Sequence, residues 1–264
     1  MQFSYAYLIT AICFSIQALG VGTYISFGVF FNPLMEEFGW SRAAISGASS
    51  TAFFSMGIFG VIIGRLNDIF GPRRLMSAAA LLLGLGCVLT GRLTTLWELY
   101  LYYGIIFGIG LSAIDVIALT TIARWFSHRR GFMTGIVKVG TGAGQFAIPL
   151  AAGGLILIYG WRWTMAAIGV VVAVILVVMA QFMRRDPDAL GSTSKAAAGS
   201  PPVAAPAAVP GLPLSRVFTT VQFWTICLAN LFLVSCLMVI MLHIVPHARD
   251  IGMPPIQAAG VLST

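Results

Sequence analysis

Two charged residues, Asp115 and Lys138, lie inside long apolar runs of the sequence. A charge at the middle of a bilayer costs about 2.5–3.5 kcal/mol on insertion scales, so such residues are retained for a reason. Asp115 precedes Trp125 by ten residues and Lys138 follows Arg130 by eight, which places them roughly 15 and 12 Å along their helices. Similar depths predict a direct or water-bridged pair. That pair is either a structural ion pair or a functional charge that meets a ligand.

The elements that position these charges are membrane-spanning helices. Charged residues make up 9% of the chain, the mean hydropathy is +0.95, and 29 glycines are scattered through apolar runs. A hydrocarbon core of about 30 Å needs about 20 apolar residues to cross as a helix. The sequence predicts seven complete spans, with an eighth beginning near Pro255. The predicted spans are 5–31, 43–63, 75–91, 98–124, 131–158, 163–183 and 218–246.

Basic residues in the connections predict the orientation of these spans. Ten of them fall on one side: Arg65, Arg73, Arg74, Arg124, Arg129, Arg130, Arg184, Arg185, Lys195 and Arg216. The other side holds four: Arg42, Arg92, Arg162 and Arg249. The positive-inside rule places the larger group of basic residues and the N-terminus on the cytoplasmic side of a cell membrane. The net charge of +7 therefore reports topology, and no nucleic-acid partner is expected.

The Ala- and Pro-rich segment 186–216 has no apolar periodicity, so it predicts an extended cytoplasmic linker. We therefore expect three regions: a six-span bundle (1–185), the linker (186–216) and the incomplete start of a second bundle (217–264).

Polar residues recur along one face of two spans. They are Thr134, Lys138, Thr141 and Gln145 on the fifth span, and Thr10, Gln17 and Tyr24 on the first. Such stripes are candidate walls of a central cavity, although polar contacts that hold helices together are at least as common. His243, at the end of the seventh span, is either an interfacial histidine or part of that site.

The sequence contains few residues arranged for other chemistry. The four cysteines match no metal or redox spacing, and the sequence has no P-loop, metal-ligand cluster or nucleophile–base constellation. We therefore expect no catalytic residue, no metal and no cofactor, and a chain that is not an enzyme.

The segment GRLNDIFGPRR, residues 64–74, joins the second and third predicted spans. It resembles the signature loop of the major facilitator superfamily, with Gly64, Asp68, Gly71, Arg73 and Arg74 at the matching positions and Ile69 in place of a basic residue. The resemblance implies a cytoplasmic gating latch that engages the opposite half of the transporter. A positive-inside loop with a local ion pair of Asp68 is the simpler alternative.

Four further stretches resemble the monocarboxylate porter and oxalate/formate antiporter branch: FGVFFNPLMEEFGWSRAAIS (28–46), ARWFSHRRGFMTGI (123–136), IYGWRW (158–163) and HIVPHARDIGMPPIQAAGVLS (243–263). The acidic, aromatic-rich motif that opens animal monocarboxylate porters is absent. The arginine of the fourth-span motif common in proton antiporters is also absent, and Gly104 stands four residues before Gly108 there. The antiporter motif of the fifth span is poorly matched as well. Substrate and coupling direction therefore stay open.

The resemblance implies an all-α membrane fold, a six-helix bundle of two inverted three-helix repeats. It also implies a secondary transporter of a small organic anion, with monocarboxylates among the candidates, that rocks two bundles about a midplane site. Lys138 would attract the anion, and Asp115 would balance or couple its charge, with protons as a candidate partner. A complete member has about twelve spans, so transport requires the rest of the C-terminal bundle. The alternatives are a non-transporting or inactive fragment of the same fold, and a proton-coupled exporter of drugs or sugars.

The charge asymmetry gives a topology prediction. In a variant without the four native cysteines, single cysteines in 186–215 should react with a membrane-impermeant thiol reagent only from the cytoplasm. A cysteine near Glu36 should react only from outside. The opposite sidedness would overturn the span count or the orientation.

Overall fold

A computed structural model describes residues 2–126, 129–185, 216 and 218–250. The chain divides into two compact units, Met1–Ser200 and Pro201–Thr264. All the regular structure among the described residues is helical, as the sequence predicts.

The first unit contains most of the described helices. They are α1 (Gln2–Ser26), a 3₁₀ turn (Phe27–Phe30), α2 (Phe31–Phe38), α3 (Arg42–Phe70), α4 (Pro72–Thr90), α5 (Leu96–Leu99), a π-helix (Tyr100–Phe107), α6 (Gly108–Trp125) and α7 (Arg130–Gln181). In the second unit, α8 (Val221–Asp250) agrees with the seventh predicted span. Residues 186–215 of the predicted linker and the predicted eighth span lie outside the described residues.

Helix α7 covers the fifth and sixth predicted spans. Its 52 residues would extend about 78 Å as one straight helix, far more than a bilayer requires. Gly160, with φ 75° and ψ 164°, divides it into 130–159 and 161–181. Tyr5 on α1 shows that the chain reverses there, because it contacts the ring of Trp125 just before α7 and donates a hydrogen bond to the carbonyl of Phe182 just after it. The two helices predicted for the fifth and sixth spans are thereby confirmed.

Two glycines form turns with almost the same backbone conformation. Gly71 joins α3 to α4 with φ 79° and ψ 164°, and Gly160 joins the two parts of α7 with φ 75° and ψ 164°. These positive φ values favour glycine, since other residues adopt them only with strain. The turns follow the second span of each predicted three-helix repeat, so the two repeats share this local geometry.

Glycines also allow α1 and α7 to approach at the level of the backbone. Gly140 and Gly144, one turn apart on α7, lie against the carbonyl oxygens of Phe14 and Ala18 on α1, and neither site has room for a β-carbon. Gly142, between them in sequence, faces open space. Small residues that admit such close contact are typical of helix pairs in membranes.

The fourth span differs from a single regular helix. It begins at α5, where Thr95 and Glu98 form a reciprocal capping box, and continues through an eight-residue π-helix. Within that π-helix, the hydroxyl of Tyr103 donates to the backbone carbonyl of Tyr24 on α1 at 3.0 Å. Hydropathy predicts the span, but it carries no signal for this local widening of the helix.

The α1–α7 contact gives a stability prediction with a matched control. Gly144→Val should lower the melting temperature of the purified protein in detergent, because the new side chain would overlap the carbonyl of Ala18. Overpacking of this kind costs about 1–3 kcal/mol and more where the neighbour is backbone. Gly142→Val, on the same helix, should have little effect. Equal melting temperatures for the two variants would contradict the close contact.

Candidate functional site

Three helices contribute to a polar network inside the membrane-spanning part of the first unit. The Nζ atom of Lys138 on α7 lies 2.5 Å from Oδ1 of Asp115 on α6. The side-chain amide of Gln17 on α1 donates to the same oxygen at 2.6 Å. The hydroxyl of Thr141, one turn after Lys138, donates to the side-chain amide oxygen of Gln17 at 3.2 Å. The direct Asp115–Lys138 contact expected from their depths is present.

The members of this network differ in exposure, and this determines what each can do. The side chains of Lys138 and Asp115 are 44% and 35% exposed, whereas Gln17 is fully buried. Gln17 therefore holds Asp115 from the packed side, while the ion pair reaches an open surface of the unit. An ammonium group has three donors, so Lys138 can bind Asp115 and still donate to an anion.

The glycine contact between α1 and α7 brings the helices close enough for the hydrogen bonds of this network to form. Gln17 lies on α1 between Phe14 and Ala18, the two residues whose carbonyls pack on Gly140 and Gly144. Backbone contact on both sides brings the Gln17 amide within hydrogen-bond distance of α7 and of α6 behind it. A wider separation of α1 and α7 would remove the hydrogen bond between Gln17 and Thr141.

The other predicted site residues lie apart from the network. The hydroxyl of Tyr24 accepts a hydrogen bond from Ser49 on α3 at 3.2 Å, and its ring contacts that of Phe53, so it joins α1 to α3. Gln145 is exposed and has no hydrogen bond to a described residue. His243 lies on α8, and its side chain is outside the described residues.

The signature segment, residues 64–74, is almost entirely helical. Residues 64–70 end α3, residues 72–74 begin α4, and Gly71 alone joins them. The expectation of a loop is corrected here, because both helices continue beyond their apolar runs into this charged segment. Asp68 pairs at 2.6 Å with Arg124, at the end of α6, and not with an arginine of its own segment.

Two arginines of the signature segment, Arg73 and Arg74, form no ion pair with Asp68. The Nε of Arg73 donates to the amide oxygen of Gln181, at the end of α7, at 2.8 Å. Arg74 is exposed and makes no ion pair with a described residue. Sequence spacing within the segment could not identify Arg124 or Gln181, since both lie more than 50 residues away.

At the opposite end of the unit, Arg162 joins three connections between spans. It contacts Glu37 through Nη2 at 2.6 Å and donates to the carbonyls of Gly91 and Leu93 at 3.3 and 3.0 Å. The indole of Trp161 donates to the second carboxylate oxygen of Glu37 at 2.6 Å. Trp161 and Arg162 belong to the stretch IYGWRW, which resembles a family motif. That motif indicated the family but did not predict the contact with Glu37.

Comparison with known proteins identifies the family. The sequence profile described as Major Facilitator Superfamily matches residues 8–264. The chain belongs to this superfamily. It is therefore a multi-pass membrane protein, and the predicted fold of a major facilitator N-terminal bundle is confirmed.

Among similar sequences are the monocarboxylate transporter 13 of Bos taurus, 28% identical over 98% of this chain and 58% of the relative, and the monocarboxylate transporter 11 of Homo sapiens, 26% identical over 98% and 53%. This major facilitator chain thus spans about half the length of these relatives. The superfamily and the transporter-named relatives confirm the prediction that it is not an enzyme.

Among solved structures, the proton:xylose symporter XylE matches with a TM-score of 0.62 at 19% identity, covering 74% of this chain and 48% of XylE. At this identity the match establishes the fold alone. The share of XylE that is covered agrees with the assignment of the chain to about half of a major facilitator fold.

Proposed function

We propose that this chain is part of a secondary transporter for a small organic anion, with Lys138 as the residue that binds the anion. The observation that carries the proposal is the half-exposed pair of Lys138 and Asp115 at mid-membrane depth. Charges at this depth are costly and commonly mark the path of a substrate or ion. The names of the monocarboxylate transporters 13 and 11 support an anion of the monocarboxylate class.

The geometry suggests how an anion and a proton would share the site. Asp115 occupies one donor of Lys138, and a second carboxylate arriving there would meet the negative charge of Asp115. Protonation of Asp115 would remove that repulsion and release Lys138 to the incoming anion. The anion and the proton would then enter together, which makes proton coupling our proposed mechanism.

Gln17 has a positioning role in this proposal. Its amide donates to Asp115 from the buried side, and Thr141 fixes the orientation of that amide by donating to its oxygen. Asp115 would therefore stay in place when Lys138 turns to the anion. The exposed Gln145 lies two turns further along α7, where it could contact the body of the substrate.

Three variants of a full-length parent, compared with the wild type, test the role of the pair: Asp115→Asn, Lys138→Gln and the double variant. Each single change should lower the melting temperature, because it strands the partner charge, and the double variant should recover most of the loss. If Lys138 binds the anion, the stable double variant should bind no carboxylate in an equilibrium titration. Lys138→Arg should recover binding only in part, because a planar fork replaces a compact ammonium.

Arg42→Gln is the matched control for loss of one positive charge, since Arg42 is exposed and has no ion pair with a described residue. It should bind carboxylate like the wild type. A stable double variant that still binds and transports a carboxylate normally would remove both residues from the site and leave a structural ion pair. A full-length wild-type parent that moves no carboxylate would support the non-transporting alternative.

We propose in addition that the signature segment controls the conformational cycle on the side predicted to be cytoplasmic. The pair of Asp68 and Arg124 is 63% and 29% exposed, so it contributes at most about 1 kcal/mol to folding. Its presence is better explained by a role in switching between states than by stability.

In a full-length parent, Asp68→Asn should slow transport and shift the population toward inward-facing states, while expression and melting temperature stay nearly unchanged. Arg124→Gln should have a similar effect, because it breaks the same pair. Accessibility of single cysteines at either end of the transport path measures the shift. Wild-type cycling kinetics in both variants would return the segment to the role of a topology signal.

A further inference from the structure

A basic pocket of about 750 Å³ is lined by residues 69–74 of the signature segment and by residues that follow or end α7. Three of its lining residues are arginines, Arg73, Arg74 and Arg185, and no carboxylate is present among the described residues that line it. This pocket is separate from the mid-membrane network, and neither the Asp68–Arg124 pair nor the proposed anion site uses it.

The pocket has hydrogen-bond donors already held in place. Gln181 donates to Ser77 and to the carbonyl of Val177, which turns its amide oxygen toward Nε of Arg73. The two terminal nitrogens of Arg73 make no hydrogen bond to a described residue, so they remain able to donate to a ligand in the pocket that Arg73 lines. Such a preorganised guanidinium binds a phosphate through two parallel hydrogen bonds.

The start of α4 adds to the attraction for anions. Pro72 has no backbone N–H and Leu75 is already bonded to the carbonyl of Gly71, so the N–H groups of Arg73 and Arg74 are the free donors of this first turn. The positive end of the helix dipole and the two side chains therefore act at the same place.

The rim of the pocket is apolar. Ile69 and Phe70, which also line it, are 63% and 55% exposed. Exposed apolar side chains next to a basic cavity, at the end of a membrane span, are suited to a ligand that has both a phosphate and hydrocarbon chains. Basic pockets at the cytoplasmic ends of spans bind anionic lipid headgroups in this way.

We infer that this pocket binds the phosphate headgroup of an anionic phospholipid from the leaflet that the basic asymmetry places on the cytoplasmic side. Arg73 and Arg74 hold the phosphate, and Ile69 and Phe70 contact the first part of the acyl chains. The site would tie the turn at Gly71 to the membrane surface. The inference does not depend on the substrate proposed above.

Native mass spectrometry of the purified 264-residue chain in detergent can measure the binding of dioleoylphosphatidylglycerol, with dioleoylphosphatidylcholine as the neutral lipid. We expect tighter binding of phosphatidylglycerol. Arg73→Gln/Arg74→Gln should weaken it by about 30-fold, given about 1 kcal/mol for each basic residue at the surface. The matched control is Arg42→Gln/Arg92→Gln, which removes two exposed arginines from the opposite side and should bind phosphatidylglycerol like the wild type.

Three results would overturn the inference. They are unchanged phosphatidylglycerol binding in Arg73→Gln/Arg74→Gln, an equal loss in both double variants, and displacement of the lipid by millimolar inorganic phosphate, which would indicate a site for soluble phosphate. If the double variant does not fold, Arg74→Gln alone decides, since Arg74 is exposed and makes no ion pair with a described residue. It should then weaken phosphatidylglycerol binding, and wild-type binding would refute the site.

Discussion

The backbone contact between α1 and α7 is the constraint on which the polar network of Gln17, Asp115, Lys138 and Thr141 depends. Gly140 and Gly144 allow two helices to meet without side chains between them, and Gln17 sits within that contact. In lipid the separation of helices is set by such packing, since apolar side chains gain little by leaving the bilayer. The polar network follows from this distance, because a short amide side chain can then reach both α6 and α7.

The three ion pairs of the described residues lie at three levels of the first unit, and each connects different helices. Asp68–Arg124 and Glu37–Arg162 lie near its two ends, where water and ions screen them. Lys138–Asp115 lies between those levels, at the depth where desolvation is most costly. Only the last pair has a fully buried neutral partner, Gln17, which donates a hydrogen bond to Asp115.

Much of this architecture was accessible from the sequence, because hydropathy and helix geometry act over long, regular segments. The spans, their reversal near Gly160 and the shared depth of Asp115 and Lys138 all follow from counting residues along apolar runs. The partners of Asp68 and of Arg162 could not be predicted by such counting, because they depend on which helices are neighbours and on how those helices are rotated. Gln17 was identified as one member of a polar stripe, but its burial and its bond to Asp115 required the packing of three helices.

The connection between the second and third spans consists of one residue, Gly71. A residue inserted into the first turn of α4 would rotate the residues before it by about 100° relative to the rest of that helix. Gly84 and Gly86, which now face the second part of α7 and the fourth span, could then keep their contacts only if the start of α4 moved, and Arg73 would lose Gln181. Insertions and deletions during evolution, and peptide tags introduced by experiment, should therefore be confined to other connections of the chain.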